Sequence, residues 1–176
     1  SAPGTRETDL LDPINSVQKV HAVVLSGGSA FGLESTCGVS KYLEEKNIGF
    51  DVGVCKVPIV TGVVLFDLAV GDYKIRPDKE MGYKACLNAS ETELKQGNYG
   101  AGCGATVGKV TGIDYVTKGG IGSYSIKLDN GIVVSALIAV NAFGDIYEDG
   151  KVIAGVLSDG KNELLNTYEM MKQGVM

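Results

Sequence analysis

The chain has 176 residues, which suits a single domain over 1–176 with a two-layer core and leaves little room for two independent folding units. Hydrophobic residues make up 44% and charged residues 21%, a balance that excludes a disordered tail or a charged nucleic-acid arm. Sixteen Lys+Arg against 21 Asp+Glu give a formal charge of -5 with no basic cluster, so phosphate backbones are repelled and no nucleic-acid partner is expected.

No run approaches the roughly 18 apolar residues of a membrane span, and no basic-then-apolar leader opens the chain. The expectation is a cytoplasmic protein with no membrane partner. There is no initiator methionine and no polar tail after the last helical pattern, which reads as a processed or trimmed piece. Glycine is the unusual term, 25 residues scattered as GG, GxG and NG units without a period, so it shapes turns and close backbone approaches rather than a linker or collagen repeat. The four cysteines, Cys37, Cys55, Cys86 and Cys103, form no CxxC and are joined by one histidine, His21. Neither a zinc site nor a disulfide framework fits, and four buried free thiols are expected.

Along the chain, Asp12-Pro13 reads as a cap and first turn of a short helix over about 13–18. His21–Leu25 is a short apolar run ended by SGGSAFG, and Ala30, Leu33, Cys37, Val39 and Leu43 then follow at helical spacing to about residue 46. Asn47 and Gly49 close that helix, and Phe50–Cys55 and Pro58–Leu65 read as buried strands. A helical pattern covers Met81–Ala89, and the glycine-rich GNYGAGCGATVGK occupies 97–109.

The strongest β signal lies further on. Ile121–Leu128 alternates, Asp129-Asn130-Gly131 supplies a turn, and Ile132–Val140 returns almost wholly apolar. A second hairpin is expected over Asp145–Gly155, and Leu164, Tyr168 and Met171 predict an amphipathic helix over about 159–173. The sum is a mixed α/β domain of the α+β type, with largely antiparallel pairs and helices layered on sheet.

Several sites suggest themselves. The glycine-rich segment fails as a phosphate loop, because Cys103 stands where the first glycine is required and Val110 where Ser or Thr would hold magnesium. Gly102-Cys103-Gly104 also lacks the third Rossmann glycine, since Val107 occupies its place, and no nucleotide cofactor or metal is expected. Ser29 sits in a strand–turn–helix like a nucleophile elbow, but G-x-S-x-G is not met and the only imidazole, His21, lies upstream on the same strand. A tight turn in which Ser26 or Ser29 caps the next helix is the better reading. Ser1 would suit an N-terminal nucleophile using its own amine as base, yet it precedes a turn. Asn141, at the end of the apolar strand, either donates its carboxamide N–H to a developing oxyanion or forms a local Asx turn, and the residues alone favour the turn.

Taken together, SAPGTRETDLLDP, HAVVLSGGSAFGL, GNYGAGCGATVGK, KGGIGSYS and VNAFGDI resemble the DmpA-like aminopeptidases, which include the β-peptidyl aminopeptidases. The resemblance covers nearly the whole chain. It implies an αββα sandwich related to ornithine acetyltransferase, and a precursor that cleaves itself into α and β chains. The nucleophile is then the new N-terminal Ser or Thr of the β chain, within a segment resembling N-T-T-I-G-V-V that does not occur here. This chain resembles the α portion, whose partners are its own β chain, a small peptide or amide substrate and further copies in a homo-oligomer.

The resemblance raises Asn141 to the oxyanion-side residue and assigns Gly119, Gly120 and the Gly100–Gly104 loop, with Gly100 and Gly102, to the pocket wall. Characterised members carry Glu-Thr-Tyr-Asp, whose acid meets the substrate amine and whose phenol reaches the site. Here Val64-Leu65-Phe66-Asp67 aligns with it, putting Phe66 at the substrate and removing the acid. The reading is a self-processing amide hydrolase acting through an acyl-enzyme without a cofactor. The alternatives are an acyl transfer of the ornithine acetyltransferase kind and a catalytically silent binding or assembly domain.

Overall fold

The computed structural model describes residues 4–91 and 94–175, which gather into two compact units. Among the described residues, one takes in 4–68 and 72–91, the other 69–71 and 94–175.

In the first unit, β1 (Gly4–Arg6), β2 (Ala22–Ser26) and β5 (Val60–Val64) form a sheet in the order β1-β5-β2. β1 runs antiparallel to β5, while β2 runs parallel to it with Ala22 opposite Val60 and Ser26 opposite Val64. Val60 is 2% exposed and packs with Val39 and Leu43, an i, i+4 pair on α1 (Ser35–Glu45), which a 3-10 turn over Ser29–Glu34 introduces. Asn47, with φ +55, provides the left-handed residue that ends α1.

α2 (Lys79–Leu87) starts at Asp78, whose Oδ1 accepts from Met81 N at 2.8 Å, and it crosses α1 at glycine. A Cβ on Gly38 would overlap the Lys79 carbonyl oxygen, and one on Gly82 would overlap that of Ser35. The two helices therefore approach backbone to backbone.

In the second unit, β6 (Thr106–Val107) pairs with β7 (Thr117–Lys118). β8 (Gly120–Lys127) and β9 (Val133–Val140) make a long hairpin, and β10 (Ile146–Glu148) and β11 (Lys151–Ala154) a shorter, bulged one. Ala105, Val107 and Val156 are fully buried. Asp145 ties the unit together. Its Oδ1 accepts from Val156 N and Thr167 Oγ1, and its Oδ2 from Thr167 N, at the start of α3 (Thr167–Lys172). The fold class is α+β, as expected, with small and mostly antiparallel sheets. No helix among the described residues is long and apolar enough to cross a membrane.

Several local expectations are corrected. Residues 13–18 form turns rather than a helix, because Asp12 Oδ1 accepts from Ile14 N in a local turn instead of capping a helix. Phe50–Cys55 shrinks to β3 (Phe50–Asp51), which pairs with β4 (Lys56–Val57) in a small exposed hairpin. The last helix begins only at Thr167, since Ser158 N donates to Glu163 O and Leu157 bridges Leu164, closing a loop ahead of the Asn166 cap. The cysteines are free, but Cys37, Cys55 and Cys103 are exposed and Cys86 is half-buried. Neither Ser26 nor Ser29 caps a helix, because Gly28 is the cap residue and Ser29 itself takes φ +53. Ser1 lies outside the described residues.

Candidate functional site

β9 delivers Asn141 to the edge of the glycine-rich segment. Its Oδ1 accepts from Thr106 N at 2.9 Å, a contact spanning 35 residues, so this amide is anchored tertiarily. Lys109 completes the arrangement. Its Nζ lies 3.1 Å from Asn141 Oδ1, 3.0 Å from the Asn141 carbonyl oxygen and 2.9 Å from that of Ala142, and it also donates to Thr106 O. Burial pushes the Lys109 ammonium below its ordinary pKa. Asn141 thus meets two donors on its oxygen, which sets its amide nitrogen on the opposite side.

The four predicted glycines lie in this same unit. Gly119 N donates to Ala105 O at 2.8 Å, and a Cβ on Gly119 would overlap the carbonyl oxygen of Val140, the residue before Asn141. A Cβ on Gly102 would overlap Gly97 O and Ile121 N, and one on Gly120 would press on the Gly97 backbone. Gly100 takes φ +50 with nothing within 4 Å of its Cβ position. Lys118 Nζ donates to Cys103 O at 2.5 Å and holds the loop onto β7. These glycines let three backbone segments close around the strand end that carries Asn141.

Phe66 belongs to the first unit, where it follows β5 and is exposed. Val64 pairs with Gly4, and its side chain fills the space a Cβ on Gly4 would need. Beside it, Asp67 Oδ1 accepts from Gly28 N at 2.7 Å and fixes the SGGS turn.

Sequence reasoning missed Lys109 as a partner of Asn141. Its signal was visible, since it is the one lysine inside GNYGAGCGATVGK.

The strand-end carboxamide of Asn141 is thus oriented by an ammonium and a backbone N–H on an α+β frame. The chain belongs to peptidase family S58, whose model matches residues 1–170. It is 46% identical over 153 residues to an uncharacterised aminopeptidase of Mycobacterium leprae, covering 83% of this chain and 40% of that protein. It is 32% identical over 136 residues to a 6-aminohexanoate-oligomer endohydrolase of Paenarthrobacter ureafaciens, covering 77% of this chain and 38% of that protein. The chain therefore spans about two fifths of the length of these relatives.

Proposed function

We propose that this chain is the α portion of a self-processing amide hydrolase that cleaves peptide or related amide bonds through an acyl-enzyme. The observation that carries the reading is the orientation of Asn141 by Thr106 N–H and Lys109. In the proposed reaction the hydroxyl of a Ser or Thr at the start of the β portion attacks the amide carbonyl. The carbonyl π electrons move onto oxygen, and Asn141 Nδ2 donates to that oxyanion. The tetrahedral intermediate collapses, the amine leaves with the proton the hydroxyl gave up, and water then splits the ester into the acid and the restored hydroxyl. Lys109 is a positioning residue, and its charge against Oδ1 polarises the amide toward stronger donation.

The hairpin of β8 and β9 supports a β portion as partner. Tyr124, Ile126, Val134 and Ile138 alternate onto one face, and all four are exposed at 51–73%. A strand as apolar as β9 belongs to a sheet covered on both sides. The names of the relatives favour amide hydrolysis over acyl transfer, and an endohydrolase does not need a free substrate amine, which suits Val64 in place of an acid.

Mass spectrometry of the full-length polypeptide tests the reading. Conversion to two fragments without added protease, the second starting with Thr or Ser, is the expected result. One stable uncut chain that retains a competent Ser or Thr would overturn self-processing.

A further inference from the structure

We propose that Arg76 and Phe31 form a binding corner in the first unit for the carboxylate of a short peptide-like acid. The corner is built where the parallel strands β2 and β5 end. Leu65 N donates to Ser26 O at 3.0 Å, Ser29 N to Leu65 O at 3.0 Å, and Gly28 N to Asp67 Oδ1, so the two strand-end loops are stitched into one platform. The segment preceding α2 lies on that platform, since a Cβ on Gly28 would stand 3.0 Å from Pro77 Cδ.

Two contacts hold Arg76 there. Its guanidinium carbon lies 4.1 Å from the Phe31 ring centroid, and Nη1 donates to Tyr73 O at 3.1 Å. Phe31 is still 58% exposed. The chain has only two arginines, and the other, Arg6, spends its Nη1 on Thr36 Oγ1 and Cys37 Sγ. Among the described residues no carboxylate forms an ion pair with Arg76, in a chain with 21 acidic residues. The neighbouring acids are otherwise committed: Asp67, Asp72 and Asp78 each accept from a backbone N–H, at 2.7, 2.9 and 2.8 Å.

A guanidinium over an aromatic ring has further N–H groups for in-plane, two-point donation to a carboxylate. The exposed surfaces of Phe31, Tyr73 and Ile75 supply apolar contact for the body of the ligand.

Titration calorimetry on the full-length protein tests this with N-acetylphenylalanine, its carboxamide and acetate as probes. Arg76 has no part in the proposed hydrolysis, so comparing wild type with the Arg76 variants keeps the result apart from the hydrolase reading. The acid should bind about tenfold more tightly than the carboxamide. Arg76→Gln should abolish that preference, Arg76→Lys should retain part of it, and Phe31→Leu should weaken acid and carboxamide alike. Equal affinity for acid and carboxamide, a preference that survives Arg76→Gln, or acetate binding as tightly as the acid would each overturn the proposal.

Discussion

Lys109 and Asn141 lie 32 residues apart in the chain, yet Nζ of the lysine is 3.1 Å from Oδ1 of the asparagine. Thr106 N–H donates to the same oxygen, so both of its acceptor sites are used. A flipped amide would turn its NH2 toward an ammonium and an N–H, which fixes the orientation. The position of one donor nitrogen thus depends on a cation from another segment.

Asn141→Ala should lower turnover by about 10²–10³-fold with little change in KM, as for loss of an oxyanion donor. It also strips Thr106 N–H of its acceptor, at a cost of about 1–3 kcal/mol. Asn141→Asp separates these effects, because it keeps an acceptor for Thr106 and Lys109 but has no N–H to donate. Stability close to wild type with turnover as low as in Asn141→Ala is the expected pair of results. An active Asn141→Asp enzyme would remove the assignment.

For Lys109 the pH sign follows from its lowered pKa. Between that value and the unfolded one, about 10.4, the unfolded chain binds more protons than the native state, so this group's share of stability rises with pH across the window. Turnover should move the other way, falling as the ammonium that orients Asn141 is lost, with the alkaline limb of kcat starting below the ordinary lysine range. Lys109→Met should show low activity without that limb. A wild-type profile flat past the ordinary lysine pKa would contradict the positioning role.

The α1–α2 crossing predicts that Gly38→Ala or Gly82→Ala destabilises the protein by about 1–3 kcal/mol, since each Cβ meets a backbone carbonyl that cannot rotate away. Gly144→Ala, whose Cβ meets nothing within 4 Å, should stay within about 0.5 kcal/mol. Denaturant midpoints measured side by side decide it, and a tolerated Gly38→Ala would show that the helices can separate without cost.

The resemblance aligns Val64 with the acid that meets the substrate amine, and on that reading recognition of a free amine lacks a charge-assisted contact worth about 1.5–3 kcal/mol. N-acetylated and free-amine versions of one amide substrate should then be turned over at similar kcat/KM. A preference of tenfold or more for the free amine would show that another group takes the role.

Much of the fold was legible in local pattern. The β8–β9 hairpin could be read because alternation, an Asp-Asn-Gly turn and an apolar return strand all act between near neighbours. The α1 stripe was legible for the same reason, as i, i+4 spacing alone places Val39 and Leu43 on one face. What failed depended on competing local bonds. Asp12 chose a turn over a cap, and the Leu157–Leu164 bridge consumed residues whose spacing suited a helix.

The sequence by itself determined the α+β class and the strand end at which Asn141 stands, because periodicity and turn chemistry are properties of short stretches. Only the tertiary structure decided that Asn141 faces Lys109 and Thr106, that Gly38 and Gly82 bring two helices into backbone contact, and that Arg76 lies on Phe31. The physical reason is that each relation joins segments whose separation along the chain carries no pattern. A side-chain hydrogen bond or a stacked ring depends on where the backbones come to rest, and packing across the whole unit sets that position.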